Sequence, residues 1–442
     1  MSSNPTQHNP ASSGAIDADA EIDAAASGHV SPDKESGRKP EIEPELLMQR
    51  PFLQFAGARL MSGLAFQIVA VALGWQMYAL THSAFALGMI GLAQFVPMFA
   101  LTLVVGHVVD RYERRRVAGI ASAVNTLAVL LLALGSWQHW LTASAVYLLA
   151  ASSGAARAFV TPTLSAMLAG LVSRAQLPRA TALSSSIGTA AQIAGPALGG
   201  LLYTVDVAAA YGGATLLLGI TSALLATLQT RPVERAKEPL SLASLLSGIT
   251  FIRDQPIILG AISLDLFAVL LGGATALLPI YARDILHASP WALGMLRSAP
   301  AVGALMASLI LARQRLPQDF GRLMFGAVVV FGLATVLFGV SRSLWLSLAA
   351  LFVTGAADSI SVVIRQSLVQ LRTPDAMRGR VGAVNALFIG TSNQLGEFES
   401  GVMAGLLGTV PSVLVGGLGT IAIAVLWIRL FPQLYRARAL EG

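Results

Sequence analysis

The sequence predicts an all-α membrane protein with twelve transmembrane helices in two six-helix halves related by a parallel pseudo-repeat. Three observations carry that reading: an apolar composition, apolar stretches of membrane-spanning length, and residue strings that recur in the two halves. Of 442 residues, 55% are apolar and 12% are charged, against about 25% charged in an average soluble domain. Mean hydropathy is +0.69, and 42 glycines are dispersed through apolar stretches, where they let helix backbones approach closely. These values exclude an ordinary water-soluble enzyme. The formal charge of +6 and pI near 10 come from basic clusters between apolar spans, so membrane topology explains them and no nucleic-acid partner is expected. With no cysteine in the chain, disulfide frameworks and Cys-ligated metal centres are excluded.

Residues 1–48 hold nine of the 23 acidic residues and show no apolar periodicity, so the segment is expected to be a disordered cytoplasmic tail. It has neither the basic start nor the apolar stretch of a secretory signal. Beyond Arg50 come twelve apolar spans, at about 53–80, 85–109, 116–136, 142–167, 181–204, 209–228, 256–281, 290–312, 322–341, 344–369, 381–406 and 411–431. Each is long enough to cross about 30 Å of hydrocarbon.

Loop charge fixes the orientation. The loop after the second span carries Arg111, Arg114, Arg115 and Arg116. Arg174 and Arg179 follow the fourth, Arg231, Arg235, Lys237 and Arg253 the sixth, Arg313 and Arg315 the eighth, Arg372 and Arg378 the tenth. The odd-numbered loops offer only Arg283 and Arg342. Both termini are therefore expected in the cytoplasm. The longest inter-span segment, 229–255, contains Pro232, Pro239 and an amphipathic stretch near Leu240 to Phe251. It is expected to link an N-terminal half at 49–228 to a C-terminal half at 256–435, with a short cytoplasmic tail at 436–442.

The halves share short identities. Gly154-Ala155-Ala156-Arg157 in the fourth span recurs as Gly355-Ala356-Ala357-Asp358 in the tenth. Ile187-Gly188-Thr189 with Gln192 recurs as Ile389-Gly390-Thr391 with Gln394, in the fifth and eleventh. These are the pairs that a six-plus-six parallel repeat superposes, and such a repeat places a substrate cavity between halves that alternate access by rocking.

At the end of the second span the chain reads Gly106-His107-Val108-Val109-Asp110-Arg111-Tyr112-Glu113-Arg114-Arg115-Arg116. Gly106 permits close helix packing, Asp110 either caps the next helix or pairs with a base, and the arginines anchor the cytoplasmic side. The string resembles the G-x-x-x-D-R-x-x-R-R signature of the major facilitator superfamily, in which this motif latches the cytoplasmic helix ends during transport. In the second half the equivalent string Ser308 to Arg315 has Ala312 in place of the acid, so the second latch is degenerate. Gly195-Pro196-Ala197-Leu198-Gly199-Gly200 is similar to the G-P-x-x-G-G motif of the drug:proton antiporter group, which takes in siderophore and macrolide exporters, with Ala191 replacing the motif's first glycine. Thr373 to Val381 and Gly396 to Gly401 add to the likeness, which covers about residues 50–435. It implies the major facilitator fold, a multi-pass chain in the bacterial inner membrane, and export rather than uptake.

An ionisable group at membrane depth is costly and marks a functional site by default. Proton coupling needs a desolvated carboxyl that can load and release a proton as access alternates. Asp265 in the seventh span, Asp358 in the tenth, and Glu397 and Glu399 in the eleventh are the candidates. Asp265 fits best, because it has no base within a turn on its own helix. Arg157 in the fourth span and Arg365 in the tenth are the intramembrane basic partners. Asp358 and Arg365 lie two turns apart on one face, which predicts an ion-pair network with Arg157, the repeat counterpart of Asp358. Glu397 and Glu399 point about 200° apart around a helix, so one faces the cavity, and the sequence leaves open which. Gln67, Trp75, Gln76, Gln94, Asn385 and Asn393 are polar or aromatic groups expected to orient a substrate on an apolar wall, with interhelical hydrogen bonding as the alternative.

The expected function is proton-coupled export of amphipathic small molecules by a monomeric secondary transporter that needs no cofactor or metal. The alternative is an importer or facilitator of the same fold. An enzyme is not expected: the chain has no phosphate-binding G-x-x-x-x-G-K-S/T loop, no H-E-x-x-H pair and no G-x-S-x-G elbow.

Overall fold

The computed structural model describes residues 46–228, 242–313 and 319–437. The expected tail at 1–45, the linker stretch 229–241 with its prolines and basic residues, residues 314–318 with Arg315, and residues 438–442 lie outside the described residues.

The fold is all-α, with no strand among the described residues. In the first half run α1 (Arg50–Thr81), α2 (Ala84–Arg111), α3 (Arg114–Trp137), α4 (Ala143–Leu171), α5 (Leu177–Val205) and α6 (Val207–Thr227). The amphipathic stretch is helical as α7 (Leu242–Asp254). It packs on α13, where Gly248 lets its backbone close to about 3.0 Å from a would-be Cβ on the Arg380 carbonyl and Val384. The seventh span follows as α8 (Pro256–Leu271), a tight turn Ala274–Leu277, α9 (Leu278–Ile280) and a wide turn Tyr281–Ile285. The remaining helices are α10 (Pro290–Arg313), α11 (Phe320–Val340), α12 (Leu344–Arg372), α13 (Asp375–Leu407), α14 (Thr409–Leu430) and the short α15 (Pro432–Tyr435).

Among the described residues, ten helical segments are long and apolar enough to cross a membrane. α5 and α13, of 29 and 33 residues, have the length but not the apolarity. The reason lies in their sequences: Ser184, Ser185, Ser186, Thr189 and Gln192 on α5, and Asn385, Ser392, Asn393, Gln394, Glu397 and Glu399 on α13. Such polar positions are tolerated at membrane depth where they face protein or a cavity instead of lipid.

The seventh span is not the single continuous helix expected over 256–281. It breaks at Gly272-Gly273, where a Cβ on Gly272 would lie 2.5 Å from the Phe331 ring and one on Gly273 would lie 2.8 Å from the Gly396 carbonyl of α13. Pro279 withholds a further donor in the next turn. The break therefore seats the span against α11 and α13.

Hydrophobic packing continues across the halves. One buried cluster joins Ile68, Leu73 and Met77 of α1 to Leu277, Tyr281, Leu296 and Phe338. Two helix pairs make the main inter-half contacts, α5 with α10 and α2 with α13. Gly200 packs on Trp291 and Gly294, with would-be Cβ distances of 3.0 and 3.1 Å, and Gly401 packs on Gly88. All four glycines lie toward the helix ends that carry the turns at 82–83, 206, 286–289 and 408. Tyr78 also donates a hydrogen bond to Asp284 there, joining α1 to the seventh span. The halves are thus sealed together at that end.

The sequence repeat has a structural counterpart. Gly154 seats α4 on the backbone of Gln94 in α2, and Gly355 seats α12 on the backbone of Pro300 in α10. In both halves the repeated glycine brings the fourth helix against the second.

Candidate functional site

A cavity of about 210 Å³ lies at mid-height among α1–α6. Its charged lining residues are Arg59 and Arg157, joined by Gln67, Gln94, Asn125, Ser153 and Gln192. Arg59 donates from Nε to the Ser184 carbonyl at 2.9 Å. The Arg157 guanidinium carbon sits 3.4 Å from the centre of the Phe66 ring, a cation–π geometry, while much of its side chain stays exposed. Asn125 Oδ1 and Ser153 Oγ are buried without a hydrogen-bond partner.

Phe66, Ala70 and Gln94 are also walls of an adjoining space of about 60 Å³, which brings in Arg297 of α10 and Gln394 and Glu397 of α13. The two spaces together connect the first half to the second. Glu397 lies within electrostatic reach of both Arg297 and Arg157. Gly91 makes room for it on α2, where a Cβ would stand 3.2 Å from Glu397 Oε2. Between the two acids of α13, the structure therefore turns Glu397 toward the inter-half space. Glu399 accepts a long hydrogen bond of 3.5 Å from its neighbour Ser400. Arg297 was not among the residues singled out by sequence; its position on the eighth span, one turn inside Gly294, was the available signal.

A second polar cluster lies wholly in the other half. Arg365 and Asp265 form an ion pair at 3.0 Å, their side chains 2% and 8% exposed. Arg365 also donates to Asn385 Oδ1 at 2.9 Å, and its Nε has no partner. Asp358 and Asp265 share the wall of a space of about 10 Å³, room for about one water. Among the described residues no basic group lies within ion-pair distance of Asp358. The network expected from spacing, Asp358 with Arg365 and Arg157, is thus replaced. Spacing along α12 puts Asp358 and Arg365 on one face, but α8 packs on α12 and its Asp265 takes the guanidinium. Arg157 instead stands beside Phe66, facing Glu397.

The remaining predicted residues are distributed as follows. Gln67 and Gln94 line the main cavity, and Asn385 holds Arg365. Gln76 is core: it donates to Ser136 Oγ at 2.9 Å and accepts from the Tyr211 hydroxyl at 2.7 Å. Trp75 packs against Tyr203 with ring centres 6.1 Å apart and planes tilted by 54°, outside the cavity lining. Asn393 is exposed and lines neither space. Gly195 and Gly199 fit α5 onto α1, against Gln67 and Ile68, while Pro196 and Gly200 meet Gly294 and Trp291 of α10. The Gly-Pro motif is therefore both a helix-packing face and part of the inter-half seal.

At the arginine-rich turn, Arg114 donates to the Ala166 carbonyl at 3.0 Å. Glu113 receives Arg115 at 3.1 Å and Arg116 at 2.7 Å, a role the sequence reading did not assign. Gly106 is half-buried in α2 and Arg111 is exposed; the side chains of His107 and Asp110 lie outside the described residues.

A helical bundle closed at one end around a polar, basic mid-membrane cavity is the architecture of a transporter, and the family model described as Major Facilitator Superfamily matches residues 55–396. The chain belongs to that superfamily and is a multi-pass membrane transporter rather than an enzyme. Among named relatives, it is 28% identical over 382 residues to the enterobactin exporter EntS of Citrobacter koseri (strain ATCC BAA-895 / CDC 4225-83 / SGSC4696), covering 86% of this chain and 92% of the relative. It is 27% identical over the same shares to the enterobactin exporter EntS of Escherichia coli O1:K1 / APEC. Among solved structures, the nucleoside transporter NupG aligns with a TM-score of 0.66 at 16% identity, covering 86% of this chain and 99% of that one. A bacterial homologue of the iron transporter ferroportin, in an inward-facing state, aligns with a TM-score of 0.68 at 17% identity over 88% and 99%. At these identities the structures share the fold.

Proposed function

We propose that this chain is a proton-driven exporter of amphipathic small molecules, of drug or siderophore type, acting as a monomer in the bacterial inner membrane with both termini in the cytoplasm. The observation that carries the reading is the separation of two intramembrane charge clusters. One, around Arg157, faces the polar cavity among α1–α6. The other, in the second half, holds two carboxyls, Asp265 and Asp358, against one guanidinium, Arg365. Two acids and one base in so confined a site retain one negative charge too many, and one bound proton removes it.

With the termini inside, the seal at Gly88–Gly401 and Gly200–Gly294 is the outer gate, and the cavity is reached from the cytoplasm. Substrate then loads from inside; rocking of the halves about the adjoining inter-half space opens the outer gate. A proton entering from outside onto the Asp265–Asp358 cluster drives the return. The arginine-rich turn after α2 caps the inner end in the opposite state. The likeness to enterobactin exporters over most of both chains supports the outward direction.

The test is untargeted small-molecule profiling of cells and medium from a deletion strain, with and without the restored gene. A compound trapped inside the deletion strain and returned to the medium by the intact gene, but not by Asp265→Asn or Asp358→Asn, is expected. Full active export by both variants, or movement of the compound into the cell, overturns the proposal.

A further inference from the structure

The cavity and the space beside it carry a charge imbalance opposite to that of the proton cluster. Arg59 and Arg157 line the first, Arg297 lines the second, and Glu397 is the one acid lining either among the described residues. That leaves two positive charges in excess. No carboxylate comes within 4 Å of any of the three arginines among the described residues. A guanidinium at membrane depth is held by a counter-charge or by water in a cavity, and it marks the path of what the protein carries. Its planar fork matches carboxylate, phosphate or ring-bound oxyanion geometry.

The neutral groups beside the arginines are also waiting for partners. Asn125 Oδ1 and Ser153 Oγ in the cavity, and Gln394 Oε1 next to Glu397, are buried with no hydrogen bond. A buried polar atom without a partner is costly, so two in the main cavity and one in the adjoining space point to a ligand that supplies donors as well as charge. Phe66 forms the shared wall of both spaces with Arg157 lying over its ring, which offers an apolar aromatic surface directly beside the charge.

We propose that the transported molecule is an aromatic or otherwise flat amphipathic anion, bound with its negative group between Arg157 and Arg297 and its hydroxyl or amide donors toward Asn125 and Ser153. Glu397 is the resident counter-ion that this anion displaces. The inference deepens the transport reading and rests on it for the word "transported"; the binding itself is independent of direction or coupling. Arg157 belongs to α4 and Arg297 to α10, so an anion held by both bridges the two halves. In the empty protein Glu397 of α13 is the acid within electrostatic reach of both arginines. Substrate and Glu397 then compete for the same two guanidinium groups, and an anion bound while Glu397 stays ionised nearby lowers the excess from two positive charges to one.

The experiment uses the full chain in lipid nanodiscs and a matched pair of probes, 1-naphthoate and 1-naphthamide, with binding read as thermal stabilisation over a concentration series. Naphthoate is expected to stabilise the protein, and the neutral amide at equal concentration to do so at least tenfold more weakly. Arg157→Gln and Arg297→Gln should each weaken naphthoate binding tenfold or more, and Arg157→Lys should recover part of it. Glu397→Gln should tighten binding on the order of tenfold, since a competing charge is gone. A merely structural role for Glu397 predicts loss instead. Equal binding of the amide, undiminished binding in both Gln variants of the arginines, weakening in Glu397→Gln, or no stabilisation by naphthoate overturns the proposal. If Arg157→Gln does not fold, Arg297→Gln carries the same comparison. Failure of the export reading shows elsewhere, as a compound moving inward in the profiling experiment while naphthoate binding persists.

Discussion

Substituting Gly294 by Ala tests how the closed end holds. An ideal Cβ at this position falls on the Pro196 carbonyl oxygen and lies 3.1 Å from Cα of Ala197. Both are backbone atoms, so no rotamer change relieves the clash and α5 and α10 must separate. Overpacking of this kind costs about 1–3 kcal/mol. The alternative state, with this end open, has no such contact and escapes the cost. Alanine also raises helix propensity by up to about 1 kcal/mol over glycine, but equally in both states, so it cancels. A middle value of about 2 kcal/mol shifts the equilibrium roughly 30-fold toward opening. The chain has no cysteine, so Ala70→Cys, on the wall shared by both cavity spaces, gives a single thiol without further engineering. In vesicles whose outer face is the sealed end, a membrane-impermeant thiol reagent should label it up to about 30-fold faster when Gly294→Ala is added. An unchanged labelling rate in protein that inserts and folds normally would refute the idea that this glycine contact is the seal.

Arg365→Met leaves Asp265 buried without its partner and should cost about 3–5 kcal/mol, measured by denaturation in detergent micelles. The double variant Arg365→Met with Asp265→Asn should recover most of that loss. Gln76→Leu strands the Tyr211 hydroxyl and Ser136 Oγ, at about 1–3 kcal/mol for each buried group, and surviving protein should keep its transport rate. A selective loss of transport there would return Gln76 to the substrate path. Tyr78→Phe removes the bond to Asp284 that joins the halves, and should speed labelling of Ala70→Cys from the sealed side about fivefold, for about 1 kcal/mol; no change means that the bond does not hold the gate.

Much of the architecture was legible because it depends on local quantities. A bilayer demands about 20 apolar residues per crossing whatever the neighbours are, so the helices fell close to the expected spans and the family followed from short strings such as Gly106 to Arg116. The exception has a tertiary cause: the break at Gly272-Gly273 needs Phe331 and Gly396, residues of other helices, to explain it. Partnership was not legible. Asp265 and Arg365 are 100 positions apart, and only the packing of α8 on α12 makes them a pair. Gln76 and Gln67 look alike in the sequence, yet half-turn differences in facing put one in the core and the other on the cavity wall.

The sequence by itself determined that the chain crosses a membrane many times and that costly charges lie inside the bilayer. Tertiary structure alone decided how those charges divide: Arg59, Arg157, Arg297 and Glu397 about a cavity, and Asp265, Asp358 and Arg365 apart from it. The physical reason is that hydrophobic length is set by the solvent along one helix, whereas compensation of a buried charge is set by whichever helix comes within a few ångströms of it.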